Sequence, residues 1–225
     1  LFSERINNMN ITMNLSKLSY ETKRALAKDE QTSPELLAAL ATDKDPRIRK
    51  IVARNENTPV EVLDFLAKDK DWWVRIGVAE NRNTSVEVLS MFSQDDDDYI
   101  RYEVATNIKT PSTILSALAK DEKGYVREVV ASNPNTIIEI LEFLADDEDY
   151  EVREAVAENE RTPIVLLIRL AEDISSDVRA AVVRNKNTPS DALVQLTQDE
   201  RFYVSITARK ALEERKANAK CNIEK

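Results

Sequence analysis

The sequence predicts an all-α solenoid of seven repeats, each 26 residues long and containing two helices. Three observations predict this fold. Residues of five different chemistries recur every 26 positions, each interval contains two short amphipathic stretches, and the intervals run from 30 to 211 without an insertion. Two short helices are only marginally stable alone, so each repeat has to bury its apolar stripes against its neighbours. Stacking of this kind builds a solenoid.

Five columns of recurring residues define the repeat. The leucine column begins at Leu37 and ends at Leu193, and the threonine column runs from Thr32 to Thr188. Asparagine recurs from Asn55 to Asn185. The other two columns are charged, and they contain Arg49, Arg75, Arg101, Arg127, Arg153 and Arg179, and Asp43, Asp69, Asp95, Asp121, Asp147, Asp173 and Asp199.

The unit at 56–81 predicts how each repeat folds. Thr58 precedes a proline, and Glu61 follows three residues after Thr58, so we expect Thr58 to cap the first helix in a capping box. An apolar stripe and an acidic break follow, and Asp71 is expected to cap the second helix. Asn81 is expected to end that helix in a left-handed conformation. Each helix should contain about 8–11 residues, and the core-facing positions should be Val62, Leu63, Leu66, Val74, Val78 and Ala79.

Polar end segments are expected to flank the repeats within one structural domain. Residues 1–29 are expected to hold an N-terminal segment and a capping helix from Leu15 to Asp29, with Leu18, Thr22 and Leu26 in the core phase. Residues 30–211 form the repeats. Residues 212–225 are expected to extend the last helix and then fray from about residue 217. Polar terminal units stop a solenoid from stacking end to end.

The repeat resembles the leucine-rich repeat variant family. The match rests on many positions in each unit and covers nearly the whole chain; in the units at 81–107 and 160–185 it includes Asn81, Asn83, Thr84, Leu89, Asp95, Ile100, Arg101, Val104, Ala105 and Asn107, and Thr162, Pro163, Leu167, Leu170, Ala171, Asp173, Val178, Arg179 and Asn185. The resemblance implies a right-handed superhelix of stacked helical pairs, in which one helix of each pair is either α or 3₁₀. HEAT-like repeats share the aspartate and Val-Arg signature. A described family member also carries a cysteine-rich iron–sulfur segment, which is not carried over because this chain lacks those cysteines.

Composition excludes several classes of function. The chain has no histidine, one cysteine (Cys221) and two glycines among its 225 residues, so it lacks residues for a Ser-His-Asp triad, a His-ligated metal or a phosphate-binding loop. Its net charge of −9 makes nucleic acid an unlikely partner. No apolar run approaches the roughly 20 residues that span a bilayer. We therefore expect no catalytic residues, no cofactor and no metal, no membrane contact and a cytoplasmic location.

The charged columns predict a structural ladder. Asp69 follows the first helix of its repeat and Arg75 lies in the opening turn of the second, so an arginine can bridge carboxylates of its own and the adjacent unit. Such repetition fits a task shared by all units better than a local site. The alternative is a row of arginines that grips a phosphate backbone. We interpret Arg49, Arg75, Arg101, Arg127, Arg153, Arg179, Asp69, Asp95, Asp121, Asp147 and Asp173 as the ladder.

If the recurring residues build the scaffold, the functional residues should occupy positions whose residue type varies between repeats. Three positions of the second helix share one face, and along the chain their residues change from basic through aromatic to acidic. We expect this face to bind a protein or peptide, although the aromatic rings could instead pack over neighbouring helices. The candidate partner-binding residues are Arg47, Lys50, Arg54, Trp73, Ile76, Tyr99, Tyr102, Tyr125, Glu128, Glu151, Glu154 and Glu158.

Two classes of function remain open from the sequence. The first is a non-catalytic scaffold that binds a peptide, helix or folded partner along the aromatic-centred face. The alternative is a HEAT-like repeat protein that acts on nucleic acid, or an enzyme built on a repeat scaffold. Charge favours the first, because only the first repeat is basic on this face. A weaker apolar patch at Val165 and Ile168 suggests a partner or a self-association contact; the oligomeric state is left open.

Overall fold

The computed structural model describes the backbone of residues 15–223 and the side chains up to residue 217. This part of the chain is helical throughout, with turns between the helices and no strand. Helices of seven residues alternate with helices of nine, and we call them A helices and B helices. The A helices are α2 (Pro34–Leu40), α4 (Val60–Leu66), α6 (Val86–Phe92), α8 (Ser112–Leu118), α10 (Ile138–Leu144), α12 (Ile164–Leu170) and α14 (Ser190–Leu196). The B helices are α1 (Tyr20–Lys28), α3 (Pro46–Arg54), α5 (Trp72–Glu80), α7 (Asp98–Thr106), α9 (Gly124–Ser132), α11 (Tyr150–Glu158) and α13 (Ser176–Arg184), followed by the longer α15 (Phe202–Ile223).

The chain divides into two compact units, Leu1–Ile114 (unit one) and Leu115–Lys225 (unit two). In unit one, the B helices α1, α3, α5 and α7 pack against one another in chain order. In unit two, α9, α11, α13 and α15 do the same. Six of the seven A helices pack against at least one B helix beside them in sequence. Each unit is therefore a stretch of helical-repeat solenoid, as the periodicity predicts.

The core consists of the columns that face the neighbouring repeats. In the repeat read above, Leu63, Leu66, Val74, Val78 and Ala79 are fully buried, and the equivalent leucines from 37 to 193 are buried in every repeat. These core predictions are confirmed, except that Val62 is only partly buried. The A helices contain seven residues each, which is slightly shorter than the predicted length. Short A helices are stable here because each buries its leucines against B helices.

The threonine column has a different role from the predicted one. Thr58 does not cap the helix that follows it, because that helix begins after Pro59 and has no side-chain cap. Its hydroxyl instead donates to the carbonyl oxygen of Val52, 2.5 Å away, in the last turn of the preceding B helix. The same bond recurs in all seven repeats, from Thr32 to Thr188. The hydroxyl therefore satisfies an orphan carbonyl at a helix C-terminus.

The asparagine column also differs from its prediction. Asn81 has a φ of −75°, and no residue in the described part has a positive φ, so a left-handed terminus is wrong. Its Nδ2 donates to the carbonyl oxygens of Ala53 (2.6 Å) and Asn55 (2.9 Å) in the preceding repeat. Its Oδ1 accepts from the backbone N–H of Asn83 at 2.8 Å. Asparagine is required because a single amide both donates to the previous repeat and accepts from its own turn.

The two ends of the chain lie partly outside the described residues. Residues 1–14 of the predicted N-terminal segment are not described, and neither are the side chains after residue 217, where the tail was predicted to fray. Helix α1 begins at Tyr20 rather than residue 15, and it buries Lys23 and Ala27 while Leu18 and Thr22 are exposed. The predicted burial of Leu18 and Thr22 is therefore wrong, because the helix turns Lys23 and Ala27 to the protein interior instead. In the described part no helix is long and apolar enough to cross a membrane.

Candidate functional site

The arginine and aspartate columns meet between consecutive repeats. Arg49 Nε and Nη2 donate to the two carboxylate oxygens of Asp69 at 2.6 and 2.9 Å, and Nη1 donates to the backbone carbonyl of Asp43 at 2.8 Å. Arg49 thus binds the carboxylate of the next repeat, but it contacts its own repeat through a backbone carbonyl. The other bridges that the structure gives are Arg75–Asp95, Arg127–Asp147, Arg153–Asp173 and Arg179–Asp199.

Two further features extend this ladder within its units. Lys23 lies 26 residues before Arg49 and binds Asp43 at 2.6 Å, so it occupies the arginine position of the first rung. At the other end, the hydrogen bond and charge of Arg179 hold the pKa of the Asp199 carboxyl below its ordinary value, although burial opposes this. The aspartates also accept from the backbone N–H two residues later, as Asp69 does from Asp71. The geometry fits a structural role.

The variable face of unit one contains exposed aromatic rings on two adjacent B helices. Trp73 on α5 is 46% exposed and Tyr99 on α7 is 62% exposed, whereas Tyr102 is only partly exposed. Ile76 is 6% exposed, so we do not retain it as a surface anchor. The predicted aromatic centre of this unit is therefore carried by Trp73 and Tyr99.

The three predicted basic residues of this face are engaged within the protein. Arg47 binds Asp45 at 2.6 Å, and its guanidinium carbon lies 4.4 Å from the ring centroid of Tyr20. Arg54 forms a bidentate pair with Glu80 of the next repeat. Lys50 is buried. The basic end is consequently less available to a partner than its sequence suggests, since two of its three charges already have carboxylate partners.

Lys50 has an unusual environment. Its Nζ lies 3.2 Å from the ring centroid of Trp73, which is a cation–π contact. The stem of the side chain is buried because Gly77 lets α3 approach α5 closely: a Cβ on Gly77 would lie 3.0 Å from the Lys50 carbonyl oxygen. Burial lowers the pKa of Lys50, and the charge of Arg54 lowers it further, while Glu80 and Glu103 oppose them. Trp73 thus presents one face to Lys50 and leaves the rest of the ring at the surface.

Unit two contains a separate acidic surface on α9 and α11. Burial raises the pKa of Glu128, and the charges of Glu151, Glu154 and Glu158 raise it further. Arg184 binds Glu154 at 3.0 Å and Glu158 at 2.6 Å, so it neutralises part of the cluster. Tyr125, on the same unit, is 38% exposed. Among the side chains of residues 15–217, no group of three or more histidine, cysteine, aspartate or glutamate residues could hold a metal ion.

Several exposed apolar residues were not predicted. Trp72 is exposed and lies edge-on to Trp73, with ring centroids 5.1 Å apart. On the A helices of unit one, Phe65 and Met91 are exposed as well, and Met91 lines a groove of about 370 Å³ between α4 and α6. The sequence contained a signal for this exposure: Phe65 and Met91 are 26 residues apart, so they occupy equivalent positions, and these positions lie outside the buried leucine column. In unit two, Val165 and Ile168 are exposed as predicted.

Comparison with known proteins confirms the resemblance. Residues 177–201 match the family described as leucine rich repeat variant. A solved leucine-rich repeat variant "with a novel repetitive protein structural motif" is 28% identical to this chain, with a TM-score of 0.66 over 92% of this chain and 83% of that one. The two therefore share the helical-repeat fold over most of their lengths. No curated protein sequence matches the chain.

More distant solved structures are also similar. The Escherichia coli protein YibA is 21% identical, with a TM-score of 0.49 over 92% of this chain and 79% of that one. An archaeal HEAT-like repeats protein from Thermococcus onnurineus NA1 is 12% identical, with a TM-score of 0.35 over 92% of this chain and 95% of that one.

Proposed function

We propose that this protein is a non-catalytic scaffold that binds a peptide or a folded protein through the B-helix face of unit one. The observation that carries the proposal is the exposure of Trp72, Trp73 and Tyr99 on two consecutive repeats. Large aromatic side chains dominate the energetics of protein interfaces, and exposed clusters of them mark interaction surfaces. We name these three residues the aromatic face.

The framework columns support this assignment indirectly. The buried threonine, asparagine and leucine side chains are used in contacts within or between repeats, and the bridged arginines also contact carbonyls and carboxylates. Residues that vary between repeats are therefore the ones free to determine what is bound. A repeat scaffold presents such residues on an extended surface, which fits a macromolecular partner.

For unit two we propose a second contact with a basic segment. Glu128, Glu151 and their neighbours create a negative surface beside the exposed Tyr125. Such charge complementarity acts on association rate and orientation more than on affinity. The proposal for unit one does not depend on it. The cytoplasmic location stays a prediction from sequence.

Removal of two of the three rings of the aromatic face should strongly reduce partner capture. We expect the double substitution Trp73→Ala and Tyr99→Ala to weaken partner binding by about a thousandfold and so to reduce capture from a native lysate, because hot-spot aromatics each contribute about 2 kcal/mol or more. The measurement is quantitative mass spectrometry of proteins retained by the wild-type chain and by the variant.

The matched control is Phe65→Ala, which removes an exposed aromatic ring of unit one from an A helix instead. This variant should retain the same proteins as wild type. Circular dichroism should show equal helix content in all three chains. Equal capture by wild type and the double variant, with folding intact, would show that Trp73 and Tyr99 only pack against their own helices.

A further inference from the structure

Lys50 is an exception among the buried cations of unit one. Lys23, Arg49 and Lys50 are 8%, 9% and 7% exposed, so all three side chains have lost most of their hydration. Lys23 binds the Asp43 carboxylate and Arg49 binds that of Asp69. Among the residues that the structure describes, nothing accepts a hydrogen bond from the Lys50 ammonium, which lies against the ring of Trp73. The Trp73 ring compensates only part of the lost hydration, because it offers the ammonium no hydrogen-bond acceptor.

The ammonium group is nevertheless accessible to a ligand. In the described part of the chain, every side-chain nitrogen or oxygen that is fully buried has a hydrogen-bond partner. Since Lys50 Nζ lacks one, solvent must reach it. Its three N–H donors are therefore held over one face of the partly exposed Trp73 ring, with the stem packed against Gly77. Proteins depart from local stability rules mainly at functional sites.

We infer that Lys50 and Trp73 form a subsite for a side-chain carboxylate of the bound protein, adjacent to an aromatic or apolar anchor on the same segment. The inference rests on the proposed function and names one chemical feature of the partner. A carboxylate supplies the missing acceptor and forms a charge-assisted hydrogen bond with the ammonium. The ring of Trp73 shields this pair from water on one side, which strengthens the interaction.

The surroundings select a singly charged oxyanion. Glu80 and Glu103 lie close enough for their charges to affect the pKa of Lys50, and Glu80 is already paired with Arg54. A phosphate group carries about two negative charges at neutral pH, so it would be repelled more strongly by Glu103 than a carboxylate would. An aspartate or glutamate side chain thus fits the local charge better than a phosphorylated residue.

Selection from a random peptide library displayed on phage tests the subsite, since coat-protein fusion leaves only side-chain carboxylates free. The full chain, the Lys50→Met variant and the Trp73→Ala/Tyr99→Ala variant are used as targets. Methionine keeps the length of the stem and removes the charge. We expect peptides selected by wild type to contain an acidic residue at a fixed spacing from an aromatic or apolar residue. Those selected by Lys50→Met should keep the anchor and lose the acidic residue.

A double-mutant cycle then measures the contact. For one selected peptide, changing its acidic residue to the amide should weaken binding to wild type by roughly tenfold to a hundredfold, and should leave binding to Lys50→Met unchanged. Lys68→Met, at an exposed lysine of the same unit, should behave as wild type. An equal loss in wild type and Lys50→Met would overturn the subsite while leaving the aromatic face intact. Selection of the same peptides by wild type and the double aromatic variant would overturn the proposed function itself.

Discussion

The substitution Asn81→Ala is expected to lower the free energy of unfolding by about 3 kcal/mol, because it leaves buried backbone groups without partners. The Asn81 amide bridges two repeats: its Nδ2 donates to two carbonyls of the preceding repeat, and its Oδ1 accepts from the N–H of Asn83. The side chain is nearly fully buried, so water does not replace these bonds. Urea denaturation followed by circular dichroism measures the loss.

Asn83 supplies the matched control. Its Nδ2 also donates to a backbone carbonyl of the preceding repeat, that of Glu56, but this residue is exposed and water takes over the bond. We expect Asn83→Ala to change stability by no more than about 0.5 kcal/mol. Similar losses for the two variants would mean that the buried asparagine column does not hold the repeats together.

The second large effect is expected for Arg127→Ala, at about 3–5 kcal/mol. Arg127 binds both oxygens of Asp147 at 2.7 and 2.8 Å, and it also contacts Asp149 and the carbonyl of Asp121. Its removal leaves the buried Asp147 carboxylate without its cation. By contrast, Arg169→Ala breaks an exposed pair with Asp146 in the same unit, and it should cost less than about 1 kcal/mol.

The loss of unfolding free energy in the Arg127→Ala variant should depend on pH in a defined direction. Burial raises the pKa of Asp147, but the hydrogen bonds from Arg127 and from the Asp149 N–H, together with the charge of Arg127, outweigh it and leave the pKa below its ordinary value. A lowered carboxyl pKa stabilises the fold above the unfolded value of about 3.9, and this contribution disappears as the pH falls through the folded value. The stability difference between wild type and variant should therefore narrow below about pH 4. A difference that stays constant from neutral to acid pH would show that the ion pair is not its source.

The periodicity was sufficient to predict the architecture and the core. Leucines and valines at helical spacing can only be buried on one side, so Leu63, Val74 and Val78 were placed correctly. The roles of the polar columns were harder to predict. Thr58 and Asn81 can each satisfy either end of a helix, and sequence does not reveal which carbonyl lies within reach. Their actual partners belong to the preceding helix and the preceding repeat.

The candidate site was predicted only in outline. Trp73 and Tyr99 are exposed, as their position on the variable face suggests. Ile76 and Lys50 lie on the same face by helical phase but are buried, and their equivalents Tyr102, Glu128 and Glu154 are only partly exposed, so this position of the B helix faces the neighbouring B helices. Trp72 lies one residue out of phase and is exposed because it begins its helix. Such differences arise from the packing of particular neighbouring side chains, which a common repeat pattern does not specify.

Photo-crosslinking tests the central claim most directly, namely that the aromatic face of unit one is the partner-binding surface. A benzophenone amino acid is introduced at Tyr99 in one chain and at Phe65 in another, two exposed aromatic positions on a B helix and an A helix of the same unit. After incubation with native lysate and irradiation, the chain labelled at position 99 is expected to form a discrete adduct, which Trp73→Ala removes. The chain labelled at position 65 is expected to form none. Adducts from position 65 with none from position 99 would contradict the claim and assign binding to the A helices.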